Sequence, residues 1–203
     1  MTWVRHARGL TSTVAMLAVA LAVTGLASSA PKGSSTTALA PVAARSGCAR
    51  VAHAFAPRSI SIPGVTSGSR VVTPPRGPHR VPGTPPLTTA GKHMFAWDRA
   101  QGTKPGGRRG NVLLNAHTWP DGSALGNRML AGLHRGSLIV VSGGGLRLCY
   151  RVTKRVEVGA HQRVPGYYAR TGAPQLAILT CSGQRLGPGH WTKRTIWYAR
   201  PSA

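Results

Sequence analysis

Leu146-Arg-Leu-Cys-Tyr-Arg-Val-Thr-Lys-Arg-Val-Glu-Val158 is the stretch that decides the fold class. Leu146, Leu148, Tyr150 and Val152 fall on one face of an extended chain, and Arg147, Cys149, Arg151 and Thr153 on the other. Successive side chains of a strand point to opposite sides, so this pattern predicts a long half-buried strand. Cys149, set among arginines, is read as lying on the polar face and outside the core. A strand of this kind needs partners, and the flanking sequence supplies them. Ser59–Pro63, Arg70–Thr73, Gly110–His117, Ser137–Val141, Gln175–Thr180 and Arg194–Ala199 all read as short strands, separated by Gly- and Pro-rich turns. The Pro and Gly residues between Pro74 and Pro86 mark a long loop. One helix is expected, with Ser123 as N-cap, Leu125, Met129, Leu130 and Leu133 on its apolar face, and Gly136 as its stop. Strands at this spacing with one short helix predict a small all-β barrel.

The ends of the chain frame that domain. Arg5, His6 and Arg8 precede an apolar stretch from Val14 to Val23, and small residues follow as far as Ala30. This predicts a signal peptide or signal-anchor over residues 1–30. A Ser/Thr/Pro/Ala-rich linker is expected over residues 31–54 and the folded domain over residues 55–203. The chain is therefore read as exported to the cell envelope, either membrane-anchored or secreted.

Composition narrows the chemistry. The 203 residues carry 26 Lys and Arg against three acids, Asp98, Asp121 and Glu157, for a net charge of +23. So few carboxylates argue against paired-carboxylate catalysis and against a carboxylate-built calcium or magnesium site. The expectation is no cofactor and no metal. Such a charge calls for a polyanionic neighbour, and export makes that neighbour an anionic envelope surface, with no nucleic acid as partner. Three cysteines in an exported chain suggest one pair and one free thiol. Cys48 and Cys149 are the expected disulfide, which leaves Cys181 free.

Cys181 follows the apolar run Gln175-Leu-Ala-Ile-Leu-Thr180, and Ser182-Gly183 is read as turning the chain away. His117 follows Val112–Ala116 in the same manner, and Arg194 opens the last strand. Acyl transfer by a thiol needs an ionised sulfur, a proton donor for the leaving group and a cation for the developing oxyanion. Cys181 as nucleophile, His117 as general acid or base, and Arg194 as oxyanion or substrate holder would supply them. The strongly positive field is expected to favour the Cys181 thiolate. Taken one at a time, a lone Cys is more often an inert buried residue, and the chain has many other His and Arg; the set carries the argument.

As a set, these residues resemble the sortase family. Leu179-Thr-Cys181 followed by Trp191-Thr-Lys-Arg-Thr-Ile-Trp-Tyr-Ala199 is similar to the sortase signature, with Ala177-Ile178 in place of its Thr-Leu pair. Asn115-Ala-His-Thr118 resembles the family's histidine segment. Asp121-Gly-Ser-Ala-Leu-Gly-Asn127 is similar to the stretch that follows it in actinobacterial sortases of class F. Ile60-Ser-Ile-Pro63 and Ala96-Trp97 resemble earlier landmarks, so the likeness runs over residues 55–200. It implies an eight-stranded sortase-type barrel with one or two short helices, and catalytic roles for His117, Cys181 and Arg194. It also implies a substrate-binding or oxyanion role for Thr180. The implied activity is cleavage of a Leu-Pro-x-Thr-Gly-like sorting signal on a surface protein. Transfer to a peptidoglycan precursor or another amine acceptor would follow, by a monomeric enzyme. The competing reading is a non-enzymatic basic secreted module that binds cell wall or polyanion, with the Gly102–Gly110 loop and Trp191, Trp197 and Tyr198 as its contacts.

Overall fold

The alternation at Leu146–Val158 closes into a cylinder. The computed structural model, which describes Cys48 and residues 51–202, contains eight strands. They are β1 (Ser59–Ile62), β2 (Thr66–Val72), β3 (Phe95–Trp97), β4 (Asn111–Ala116), β5 (Leu138–Gly143), β6 (Leu146–Gly159), β7 (Gln175–Gly187) and β8 (His190–Ser202). They close a barrel in the order β1-β2-β3-β4-β7-β8-β6-β5. The pairings β2–β3 and β4–β7 are parallel and the rest antiparallel.

Inward positions make the core. Ile60, Val71, Phe95, Leu114, Val141, Leu148, Tyr150, Ile178 and Trp197 are buried there. Helix α1 (Leu125–Gly132) lays Leu125, Met129 and the C-capping Leu133 against them, and Trp197 Nε1 donates to the Leu133 carbonyl at 2.8 Å. The apolar face of the expected helix is present, but its ends differ. Ala124 stands at the N-cap with no side-chain cap, because the Ser123 hydroxyl and amide are both engaged by Asp121. The helix stops at Gly132, well before Gly136, where the extended Leu133 returns to the core.

A second, smaller cluster covers part of the outer wall. Leu113, Ala177 and Ile196 point outward from β4, β7 and β8, and Tyr167 from the β6–β7 connection packs on them. Residues 63–65 and 73–94 link the early strands, and the second connection holds two 3-10 turns, at Pro78–Arg80 and Gly91–His93. Among the described residues no helix is long and apolar enough to cross a membrane. The apolar stretch expected at residues 1–30 lies outside the described residues, as do most of residues 31–54. The described part of that linker is attached to the barrel: Val51 packs on the core and Cys48 is bonded to Cys149. That bond corrects the reading of Cys149. It lies on the outer face of β6 as expected, yet it is fully buried and bonded to Cys48.

Candidate active site

Three outward-facing positions on neighbouring strands carry the expected chemistry. On β4 and β7 the register pairs Leu113 with Ala177 and Asn115 with Leu179. The last pair is Ala116 with Thr180, and one further residue brings His117 level with Cys181. On the other side of β7, Cys181 lies directly opposite Arg194 of β8. All three are half-buried and line one cleft of about 1360 Å3. Its walls come from the 81–87 segment on one side and the 158–169 connection on the other.

Comparison with known proteins gives the architecture a name. No protein-family model matches the chain, and neither does any curated protein. Solved structures do match. Sortase A from Corynebacterium diphtheriae, as a lid mutant, superposes with a TM-score of 0.55 at 17% identity, covering 75% of this chain and 73% of that one. Sortase C1 from Streptococcus suis gives 0.53 at 16% identity, over 72% and 73%. Sortase A from Listeria monocytogenes gives 0.51 at 19% identity, over 74% and 89%. The fold is that of the sortases.

Within this sortase fold, Cys181 is exposed by a different route from the one its sequence suggested. β7 does not end at the cysteine but runs on to Gly187. What ends is the neighbouring β4, at Ala116, so Cys181 loses a flanking strand on one side. Gly183 marks a register irregularity in β7 with φ of +77°. A Cβ there would come within 2.4 Å of Thr192 Oγ1, so glycine is required where the chain bulges.

The electrostatics of Cys181 also differ from expectation. Burial pushes the Cys181 thiol above its ordinary value, and Arg194 pulls it down by less. The large net charge does not reverse this, since charges across solvent are screened within about 10 Å. Arg194 donates from Nη1 to the carbonyls of Lys193 at 2.8 Å and Trp191 at 3.2 Å, which braces the guanidinium at the cleft. His117 Nε2 lies 2.6 Å from the Pro85 carbonyl. A carbonyl only accepts, so Nε2 carries the proton and Nδ1 is the nitrogen left for proton exchange.

Thr180 is placed apart from the cleft. It is 1% exposed, faces the barrel interior with Ile178 and Ser182 and does not line the cleft. Its Oγ1 donates to the Ala116 carbonyl at 2.8 Å. Thr118 Oγ1, 2.8 Å from it, donates to the Cys181 carbonyl at 2.6 Å. These two hydroxyls tie the end of β4 to β7 directly behind the His117–Cys181 pair. Gly126 of α1 closes the clamp: its N–H donates to the His117 carbonyl at 2.7 Å. A Cβ at Gly126 would fall 2.2 Å from Thr180 Oγ1 and 2.4 Å from that carbonyl. No role for Thr118 or Gly126 was readable from the residues alone, because the clamp exists only in the parallel register of β4 and β7.

Asn115 belongs to the site as well. Its amide donates to the Gly83 carbonyl at 2.9 Å, while its buried Oδ1 has no partner among the described residues. Deeper anchors hold the walls. The Arg76 Nε donates to both oxygens of the buried Asp98 at 3.0 Å, and Arg76 Nη2 donates to Gln101. Gln101 Nε2 in turn donates to the Tyr168 carbonyl at 2.9 Å. One network thus links the segment before the 81–87 wall to the opposite wall. Among the described residues no group of His, Cys, Asp and Glu is placed to hold a metal ion.

Proposed function

We propose that this protein is a sortase-type cysteine transpeptidase of the cell envelope, close to the class F enzymes of actinobacteria. The observation that carries the reading is the row His117–Cys181–Arg194 across three adjacent strands at one cleft. The Cys181 thiolate attacks the Thr carbonyl of a Leu-Pro-x-Thr-Gly-like signal on a surface protein. Arg194 stabilises the oxyanion or holds the neighbouring carbonyls. As the Thr–Gly bond breaks, His117 protonates the departing amine and a thioester remains on Cys181. The amine of a peptidoglycan precursor, or another envelope amine, then attacks the thioester, gives a proton to His117 and releases the Cys181 thiolate. No cofactor takes part in this sequence, and the unit at work is a monomer. The enzyme works outside the cytoplasm, anchored by or freed from residues 1–30.

Turnover of a quenched Leu-Pro-x-Thr-Gly peptide library tests it, with Cys181→Ala alongside and an amine acceptor present or absent. The expected result is cleavage that vanishes in the variant, with a thioester adduct at Cys181 in the wild type. Equal behaviour of both proteins, together with salt-dependent binding to wall polymers, would instead make the chain a basic binding module.

A further inference from the structure

The two sides of the cleft differ in charge. On the β4 side the lining includes the apolar Val81, Leu87 and Trp119, while Arg163, Arg185 and Arg194 stand on the β8 side. Arg185 of β7 is level with Trp191 of β8, three residues along that strand from Arg194, or about 10 Å. Arg163 reaches the same end by another route. Val158 of β6 is level with Arg194, and the Ala160 N–H donates to the Thr192 carbonyl at 2.9 Å. A turn closed by the Gln162 N–H on the Gly159 carbonyl then leads the chain to Arg163.

No acid offsets these cations, since none of the residues lining the cleft is acidic. Glu157 comes nearest in the chain, but strand alternation turns it to the opposite face from Val158, and it is bonded to Lys193 at 2.6 Å. Asp98 and Asp121 are held by Arg76 and Lys92. Arg194 is braced by two carbonyls. Arg163 and Arg185 are exposed and have no carboxylate partner among the described residues. Three cations at one end of a cleft repel one another, and a bound anion offsets that repulsion.

We infer that the substrate this cleft selects carries a carboxylate beside the reacting bond, with Arg163 and Arg185 as its counter-charges. This rests on the transpeptidase reading put forward above and adds the charge of the substrate to it. In that reading Arg194 serves the reacting carbonyl, so the other two guanidiniums are left to recognise the anion. The carboxylate has two sources. One is an acidic side chain at the x position of the sorting peptide, next to the scissile Thr–Gly pair; the other is a carboxylate on the acceptor amine.

The first measurement needs no peptide. In the full-length oxidised chain Cys181 is the free thiol, and its thiolate displaces iodide from anionic iodoacetate and from neutral iodoacetamide. The ratio of the two rates cancels changes in thiol ionisation. The wild-type ratio should exceed that of 2-mercaptoethanol. Arg163→Gln with Arg185→Gln should lower it about fivefold, the effect of two cations about 8 Å from the carboxylate. The charge-matched control, Arg70→Gln with Arg147→Gln, lies exposed and outside the cleft. It should change the ratio by less than about twofold, because at about 0.1 M salt distant charges are screened. An unchanged ratio in the cleft pair, or equal falls in both pairs, would overturn the inference. The second measurement assigns the source. If the peptide supplies the carboxylate, Leu-Pro-Glu-Thr-Gly should show a KM about fivefold below that of Leu-Pro-Gln-Thr-Gly. If the acceptor supplies it, glycylglycine should be used in preference to its C-terminal amide. Either preference should vanish in the cleft pair. Turnover with neither preference overturns the inference and leaves the transpeptidase reading standing. Absence of all turnover sinks that reading, and the alkylation ratio then decides carboxylate selection by itself.

Discussion

At Cys181 two opposed influences set the reactivity of the thiol. Burial makes the thiolate costly, and the guanidinium across the strand pair makes it cheaper, with burial the larger. Alkylation of wild-type Cys181 followed against pH should therefore give an inflection above that of an unperturbed thiol. Arg194→Gln removes that lowering influence and should move the inflection higher still. An unchanged or lower inflection in that variant would show that Arg194 does not act on the sulfur. His117 poses a different question, since its Nε2 is spent on the Pro85 carbonyl. Cys181, His117 and Arg194 were legible as candidates because each sits beside an apolar run that sequence periodicity can detect. Thr180 was legible only as a letter of a signature. Its inward direction follows from strand parity, which sets its hydroxyl against the Ala116 carbonyl.

Among the elements, the junction of β4, β7 and α1 controls whether the row forms at all. Gly126 packs where no Cβ fits, between Thr180 Oγ1 and the His117 carbonyl. Gly126→Ala should cost about 1–3 kcal/mol by overpacking and, by displacing the His117 carbonyl, lower kcat more than it raises KM. Urea unfolding and steady-state peptide kinetics check both parts. Thr118→Val removes one hydroxyl from the same clamp and leaves the Cys181 carbonyl without its side-chain donor, a loss of about 1–2 kcal/mol by the same unfolding measurement. The long alternation of β6 was plain in the sequence, and so was the apolar half of β7. β3 was not, since three residues, Phe95-Ala-Trp97, are too few to show a period. The polar hairpin formed by Ser182–Gly187 and His190–Lys193 was also missed. It is held by backbone pairing rather than by buried side chains, so it leaves no hydrophobic trace.

Over the molecule as a whole, stability and site geometry depend on two long-range ties. The Cys48–Cys149 bond spans a sequence separation of 101. A loop of that size restricts the unfolded chain by about 5 kcal/mol in the chain-entropy account. Reduction should lower the denaturation midpoint accordingly and leave peptide cleavage by the surviving folded fraction intact. The second tie is the Arg76–Asp98–Gln101 network, which reaches both walls of the cleft. Asp98→Asn strands a partly buried guanidinium and should cost about 3 kcal/mol. It should also raise KM with little change in kcat, because the walls loosen while the His117–Cys181–Arg194 row, held from behind, does not. The barrel class was readable in advance since turn spacing and alternation are local signals. Which strands pair to close it was not, because β1–β5 and β4–β7 pairing joins segments far apart in the chain.

Strand β8 also acts as a ruler between sulfurs. Cys149 is level with Ser202 near one end of it, and Cys181 with Arg194 near the other, a separation of about 27 Å along the strand. Thiol–disulfide exchange requires the attacking sulfur to touch the bond it breaks. The folded barrel therefore holds the free Cys181 thiol and a disulfide in one small protein without letting them trade partners. Scrambled pairs, Cys48 with Cys181 or Cys149 with Cys181, should arise only as fast as the barrel unfolds. In an oxidising compartment, Cys181 is then kept from exchange with the protein's own disulfide for as long as the fold lasts.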